Sequence, residues 1–157
     1  MIQWMSAHQR RWIWLGLQLL LGVIFCYAGV SKLLDTLRFT ASLLGYQIIP
    51  MGLIRPLVIG LPWIEIGLGG LLIFGQYPRF TAGSIAGLLL LFTVMVGYAL
   101  SQGWIVDCGC FGTPRPADGQ KIFENGLMFL VALRFYQKPE LVRPFSEWKQ
   151  MVAEWKG

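Results

Sequence analysis

Residues 83–100, GSIAGLLLLFTVMVGYAL, run without a single charged side chain. A segment of that length and polarity reads as a helix crossing a bilayer. Three other apolar blocks flank it. The first runs from about Trp12 to Leu34 with Lys32 near its end, and the second from about Ile54 to Phe74, interrupted by Glu65. The third, from about Phe80 to Leu100, contains the uncharged run, and the fourth extends from about Ile122 to Tyr136. Crossing a bilayer takes roughly 20 apolar residues at 1.5 Å each. The fourth block meets that only if Lys121, Glu124 and Arg134 lie in the interfaces or face protein. With 55% hydrophobic residues against 13% charged, gathered in blocks, the chain has lipid as its solvent. Short connections favour an all-α membrane protein, a four-helix up-and-down bundle over residues 1–137.

The first block reads as a retained helix, because its apolar run is longer than a cleaved signal's core and no small-residue cleavage site follows it. Basic residues set the orientation. Arg10, Arg11, Arg79, Arg134, Lys138, Arg143, Lys149 and Lys156 fall on the N-terminal side of the bundle. Lys32, Arg38, Arg55, Arg115 and Lys121 fall on the other, a bias of eight to five. Both termini are therefore expected in the cytoplasm, and the 35–53 and 101–121 connections outside. The net charge of +5 comes with no basic cluster or aromatic strip suited to nucleic acid.

Two stretches are not spans. Asp35 to Pro50 reads as a short surface helix or re-entrant segment. Residues 138–157 read as an interfacial amphipathic tail, with Leu141, Phe145, Trp148, Val152 and Trp155 at helical spacing and Pro144 in the first turn. Small residues mark helix seams: Gly22, Cys26 and Gly29 on the first span, Gly67, Gly69 and Gly70 on the second, Gly83 and Gly87 on the third.

Cys108 and Cys110, in Asp107-Cys-Gly-Cys-Phe111-Gly112, are the candidate catalytic thiols. A one-residue spacer can close a disulfide, but in a small ring with a narrow geometric window, so strain is expected. Strain makes the bond easier to reduce, as in labile, catalytic disulfides. A loop merely pinned by the pair is the competing reading. Glu65 and Lys32 are further candidate site residues. At 1.5 Å per residue from Ile54, Glu65 lies roughly 16 Å into the bilayer, so it must face the bundle, pair or be protonated. Lys32 is the nearest cation in the set, although it should sit nearer the outer surface; Arg55 is the alternative. Glu65 then acts as a polar clamp or as a proton acceptor for a thiol or cofactor. Cys26, alone in an apolar helix, reads as a small hydrophobe.

Gly29-Val-Ser-Lys32-Leu-Leu-Asp35, Phe39, Tyr46-Gln-Ile-Ile-Pro50, Leu61-Pro62-Trp-Ile-Glu65 and Cys108-Gly-Cys110-Phe111-Gly112, in that order, resemble the MauE branch of the DoxX-like membrane proteins over residues 12–136. The resemblance implies a four-helix membrane protein tied to thiol redox chemistry, one that forms or supports disulfides in periplasmic partners. It places the chain in a bacterial inner membrane beside an extracytoplasmic protein partner. It does not name the substrate.

Three functions stay open at this point: a thiol–disulfide oxidoreductase or electron carrier, a non-catalytic assembly or structural subunit of a larger membrane complex, and a small transporter built around Glu65. No Rossmann glycine pattern, haem attachment motif or iron–sulfur spacing identifies a cofactor. A quinone is an acceptor open to a membrane thiol oxidase, and no residue pattern marks a site for one. Three cysteines and His8 are a poor zinc set, since a structural site wants four converging ligands.

Overall fold

The structure, a computed structural model, describes residues 7–47, 49–104 and 119–156. All its regular elements are helical. They are α1 (Ala7–Leu34), α2 (Thr36–Gly45), α3 (Met51–Phe74), α4 (Pro78–Ser101), α5 (Gly119–Gln137), a 3-10 turn over Pro139–Leu141, and α6 (Phe145–Lys156). Among the described residues, α1 from Arg10 onward, α3 and α4 are long and apolar enough to cross a membrane. Their outward faces are apolar too: Leu20, Val23, Ile59, Trp63, Leu91 and Val94 are all more than half exposed. A surface of that kind is at home in hydrocarbon, and the chain is a membrane protein.

Helix α1 packs lengthwise on α3, and α4 on α5. The two pairs meet in one core. Leu21 and Phe25 of α1 lie against Leu68 and Leu72 of α3, Ala82, Ile85 and Leu89 of α4, and Ala132 and Phe135 of α5. In lipid the apolar effect does not drive helices together, so close backbone approach must do it. The α1–α3 seam is built that way. A Cβ on Gly29 would come within 2.6 Å of the Pro62 carbonyl oxygen and of Ile66, and one on Gly69 within 2.7 Å of Cys26 Sγ. Gly22, Cys26 and Gly29 therefore lie on a seam as expected. Gly67, Gly70 and Gly87 do not, since a Cβ there meets nothing within 4 Å, while Gly83 faces the Tyr136 ring. Glycine spacing alone does not tell which face meets protein.

The seam also fixes depth. Gly29 lies at Pro62 and Ile66, and Gly22 at Gly69 and Ile73, so α1 stops about eight residues, roughly 12 Å, short of the level where α3 begins. Helix α2 occupies that space. Asp35 breaks α1 with non-helical backbone and caps α2 by accepting the Arg38 N–H at 3.1 Å. Phe39 and Leu43, each 4% exposed, then pack with Ile54, Val58 and Leu61 of α3. The segment from Asp35 is thus a packed helix and does not lie loose on the surface.

At the opposite end the turn between α3 and α4 is short for a local reason. Gly75 closes α3 in the left-handed region at φ 69°, which glycine adopts without a Cβ penalty. Pro78 opens α4, where its missing N–H costs nothing. Gln18 of α1 ties this end together. Its Nε2 donates to the carbonyls of Leu72 at 2.8 Å and Arg143 at 3.0 Å, and its Oε1 accepts the Arg143 N–H at 2.8 Å. The side chain is wholly buried. Helix α6 follows Pro144, whose carbonyl accepts the Glu147 N–H at 3.0 Å, so the proline precedes the helix instead of lying in its first turn. Phe145 rests edge-on against Phe74. Replacing Gln18 by Leu strands the Arg143 N–H and leaves the Leu72 and Arg143 carbonyls only their bonds from the Gly75 N–H and the Trp148 indole, which should lower stability by about 1–3 kcal/mol. Thermal unfolding in mild detergent reads this directly, and an unchanged midpoint would contradict it.

Candidate functional site

Lys32 and Glu65 meet inside the bundle. The ammonium donates to both carboxylate oxygens, at 2.9 Å to Oε1 and 2.7 Å to Oε2. A third, longer bond of 3.4 Å runs to the Ala28 carbonyl. Both side chains are almost completely withdrawn from the surface, at 2% and 3% exposure. The rings of Phe39 and Phe92 lie 5.6 Å and 5.8 Å from the ammonium, within reach of cation–π attraction. The sequence expectation set Lys32 nearer the surface than Glu65. The registry of α1 on α3 shrinks that offset to about one turn, since Gly29 at Pro62 and Ile66 sets Lys32 near the level of Leu61, and the lysine side chain spans the rest. Arg55, the alternative partner, is exposed on the first turns of α3 and lines a separate cleft with Thr40 and Met51.

The local order of the sequence now has a physical account. Gly29 lets the α1 backbone touch α3, Lys32 one turn later reaches Glu65, and Asp35 ends α1 and caps α2. Phe39 then covers the ammonium. Four residues of one motif build one wall of the site.

A cavity of about 20 Å³ adjoins the pair, bounded also by Ile24, Phe25, Leu89, Phe92, Met128 and Asn125. That volume holds one water molecule. Asn125 on α5 is 3% exposed, and its side chain makes no hydrogen bond to a described residue. Sequence reasoning missed both Asn125 and Gln18. The signal was present in each: an uncharged polar side chain within an apolar helix, which in lipid must find a partner or a cavity.

Cys108 and Cys110, with Asp107, lie outside the described residues. Their place in the chain order is between α4 and α5. At the α4 side, Gly103 turns the backbone at φ 69°, and Trp104 folds back so that its N–H donates to the Ala99 carbonyl at 3.0 Å. Trp104 then stacks edge-on against Tyr98 and joins Tyr46, Val96 and Ile122 in a small core. Cys26 is a free thiol in the α1–α3 seam, its Sγ 3.7 Å from the Ile66 carbonyl. Cys26→Ala should therefore cost no more than about 1 kcal/mol. A mixed disulfide captured between Cys26 and another cysteine of the chain would contradict that. Among the described residues no three His, Cys, Asp or Glu side chains gather as metal ligands.

Comparison with known proteins brings these features together. The family model described as methylamine utilisation protein MauE matches residues 10–137, which takes in α1 to α5 and the Lys32–Glu65 pair. A methylamine utilization protein MauE from Methylophilus methylotrophus is 27% identical over 97 residues, covering 61% of this chain and 51% of that protein. The protein of the same name from Methylorubrum extorquens is 28% identical over 90 residues, covering 57% and 48%. The chain spans about half the length of the curated relatives it matches. No solved structure matches it. With the family model extending over most of the chain, this protein belongs to the MauE family.

Proposed function

We propose that the chain is a membrane thiol–disulfide redox protein that oxidises, or passes electrons from, a protein partner outside the cytoplasm. The observation that carries this reading is positional. The two loop cysteines belong to the connection between α4 and α5, at the end of the bundle remote from Arg10, Arg11, Arg79, Arg134 and Arg143. By the distribution of positive charge that arginine-rich end faces the cytoplasm. The thiols then face an oxidising compartment in a bacterial inner membrane, where a disulfide persists. In this arrangement α5, with 19 residues, is the fourth span of an up-and-down bundle. The tail, with α6 docked on Phe74 through Phe145, is an amphipathic segment at the cytoplasmic interface. The wider kinship with DoxX-like proteins belongs to the same reading.

The chemistry is exchange. A partner thiolate attacks one sulfur of a Cys108–Cys110 disulfide, giving a mixed disulfide and releasing the other cysteine as a thiolate. A second partner thiolate then attacks the mixed disulfide. The partner leaves oxidised, and Cys108 and Cys110 remain as a dithiol that has gained two electrons. An acceptor of the quinone class would return them to the disulfide. Glu65 and Lys32 hold α1, α2 and α3 in register. Glu65, beside a water-sized cavity, is also a candidate proton acceptor for the cycle.

Two experiments test the reading. A reporter fused after Gly157 should be active in the cytoplasm, and a tail that reports from the periplasm would overturn the topology and the redox argument with it. In one of the variants Cys108→Ala and Cys110→Ala, the remaining thiolate should attack the disulfide of an already oxidised partner, release one partner thiolate and accumulate as a mixed disulfide, visible on a non-reducing gel and absent after reduction. No such species in either variant would favour a non-catalytic assembly subunit.

A further inference from the structure

At the end of the bundle formed by the α3–α4 turn, Arg10, Arg11 and Trp14 of α1 join Leu141 and Arg143 around a cavity of about 250 Å³. We propose that this cavity binds the phosphate headgroup of an anionic phospholipid.

Three features point to that ligand. The first is charge. Arg10 and Arg11 are exposed and pair with no carboxylate among the described residues, while Arg143 shares its Nη1 with Glu147 at 2.8 Å. Three cations therefore face one carboxylate. The second is construction. Gln18 grips the Arg143 backbone in both directions, accepting its N–H at 2.8 Å and donating to its carbonyl at 3.0 Å. Trp14 is seated edge-on against the buried Phe135 ring at 5.9 Å. The walls are thus fixed by the core, independently of any ligand. The third is depth. Gln18 reaches the last turn of α3, and Arg11 lies seven residues, about 10 Å, further out. That places the guanidinium groups at headgroup level, with Trp14 at the boundary where its ring is favoured. Trp14 and Leu141 give the cavity an apolar side that a glycerol or acyl segment can cover and a free phosphate cannot. Basic pockets at this depth on the cytoplasmic side suit anionic headgroups.

The test uses the full chain in nanodiscs of phosphatidylcholine with a minor fraction of phosphatidylglycerol, the retained lipid being counted by native mass spectrometry. Phosphatidylglycerol should be enriched over its share of the bilayer. Arg10→Gln and Arg11→Gln should each weaken retention about fivefold. Arg79→Gln, at the same end but outside the cavity, should leave it unchanged. Millimolar inorganic phosphate should not displace the lipid. Equal retention of the two lipids, or no loss in the Arg10 and Arg11 variants, would overturn the proposal. Displacement by inorganic phosphate would overturn the lipid assignment in favour of a free-anion site. None of these outcomes depends on the redox reading.

Discussion

Replacing Lys32 by Met should be the most damaging single change in the bundle, lowering stability by about 3–5 kcal/mol. The substitution leaves Glu65, 3% exposed, without its counter-charge and without the donor to both its oxygens. It also removes the cation held between Phe39 and Phe92, and so loosens α2 from α1. The double variant Lys32→Met with Glu65→Leu should recover most of the loss, because a well-packed apolar pair replaces a buried ion pair at little net cost. Thermal unfolding in detergent of both single variants and the double resolves the coupling. A double variant as unstable as Lys32→Met would mean that the pair is not the clamp described here. The more conservative Glu65→Gln keeps shape and hydrogen bonding without the negative charge. If it assembles normally yet loses activity, Glu65 serves in the cycle as well as in the clamp; if it only destabilises, the proton-accepting role loses its support.

Cys108→Ala and Cys110→Ala should each abolish partner oxidation, since exchange needs one sulfur to be attacked and the other to leave. Neither change should disturb the packing of the described helices, whose core contacts come from other residues. The two variants should unfold like the parent while their activity falls to background. That separates this prediction from the Lys32 series, where stability falls first. Full activity in both variants would remove the thiols from the mechanism.

The helical layout was largely legible from hydropathy, and for a physical reason. A chain in lipid cannot alternate polar and apolar faces as a soluble one does, so its spans stand out as blocks. Helices α1, α3 and α4 extend the expected blocks by two to five residues at their N-termini and by at most one at their C-termini. What hydropathy does not carry is the relative height of the blocks. Trp12–Leu34 and Ile54–Phe74 were read as crossing the same slab, yet glycine contacts set α1 lower against α3 and leave room for α2. That offset brings Lys32 within about one turn of Glu65, in reach of its side chain, and counting residues from the apolar boundary could not reveal it. The motif residues Gly29, Lys32, Asp35, Phe39 and Glu65 were recognisable as a set; their common purpose became visible only with the contacts. Gln18 and Asn125 went unnoticed because one polar residue in an apolar run changes a block average very little.

The central claim is that Cys108 and Cys110 cycle between dithiol and disulfide, and their oxidation state in intact cells measures it. Acid quenching followed by alkylation with a mass-adding thiol reagent counts free cysteines per molecule, Cys26 serving as the internal thiol. The account predicts two populations, with one and with three labelled cysteines. The three-label form should grow when the terminal electron acceptor is withheld and shrink when it is restored. A pair fixed in one state under both conditions would contradict the account.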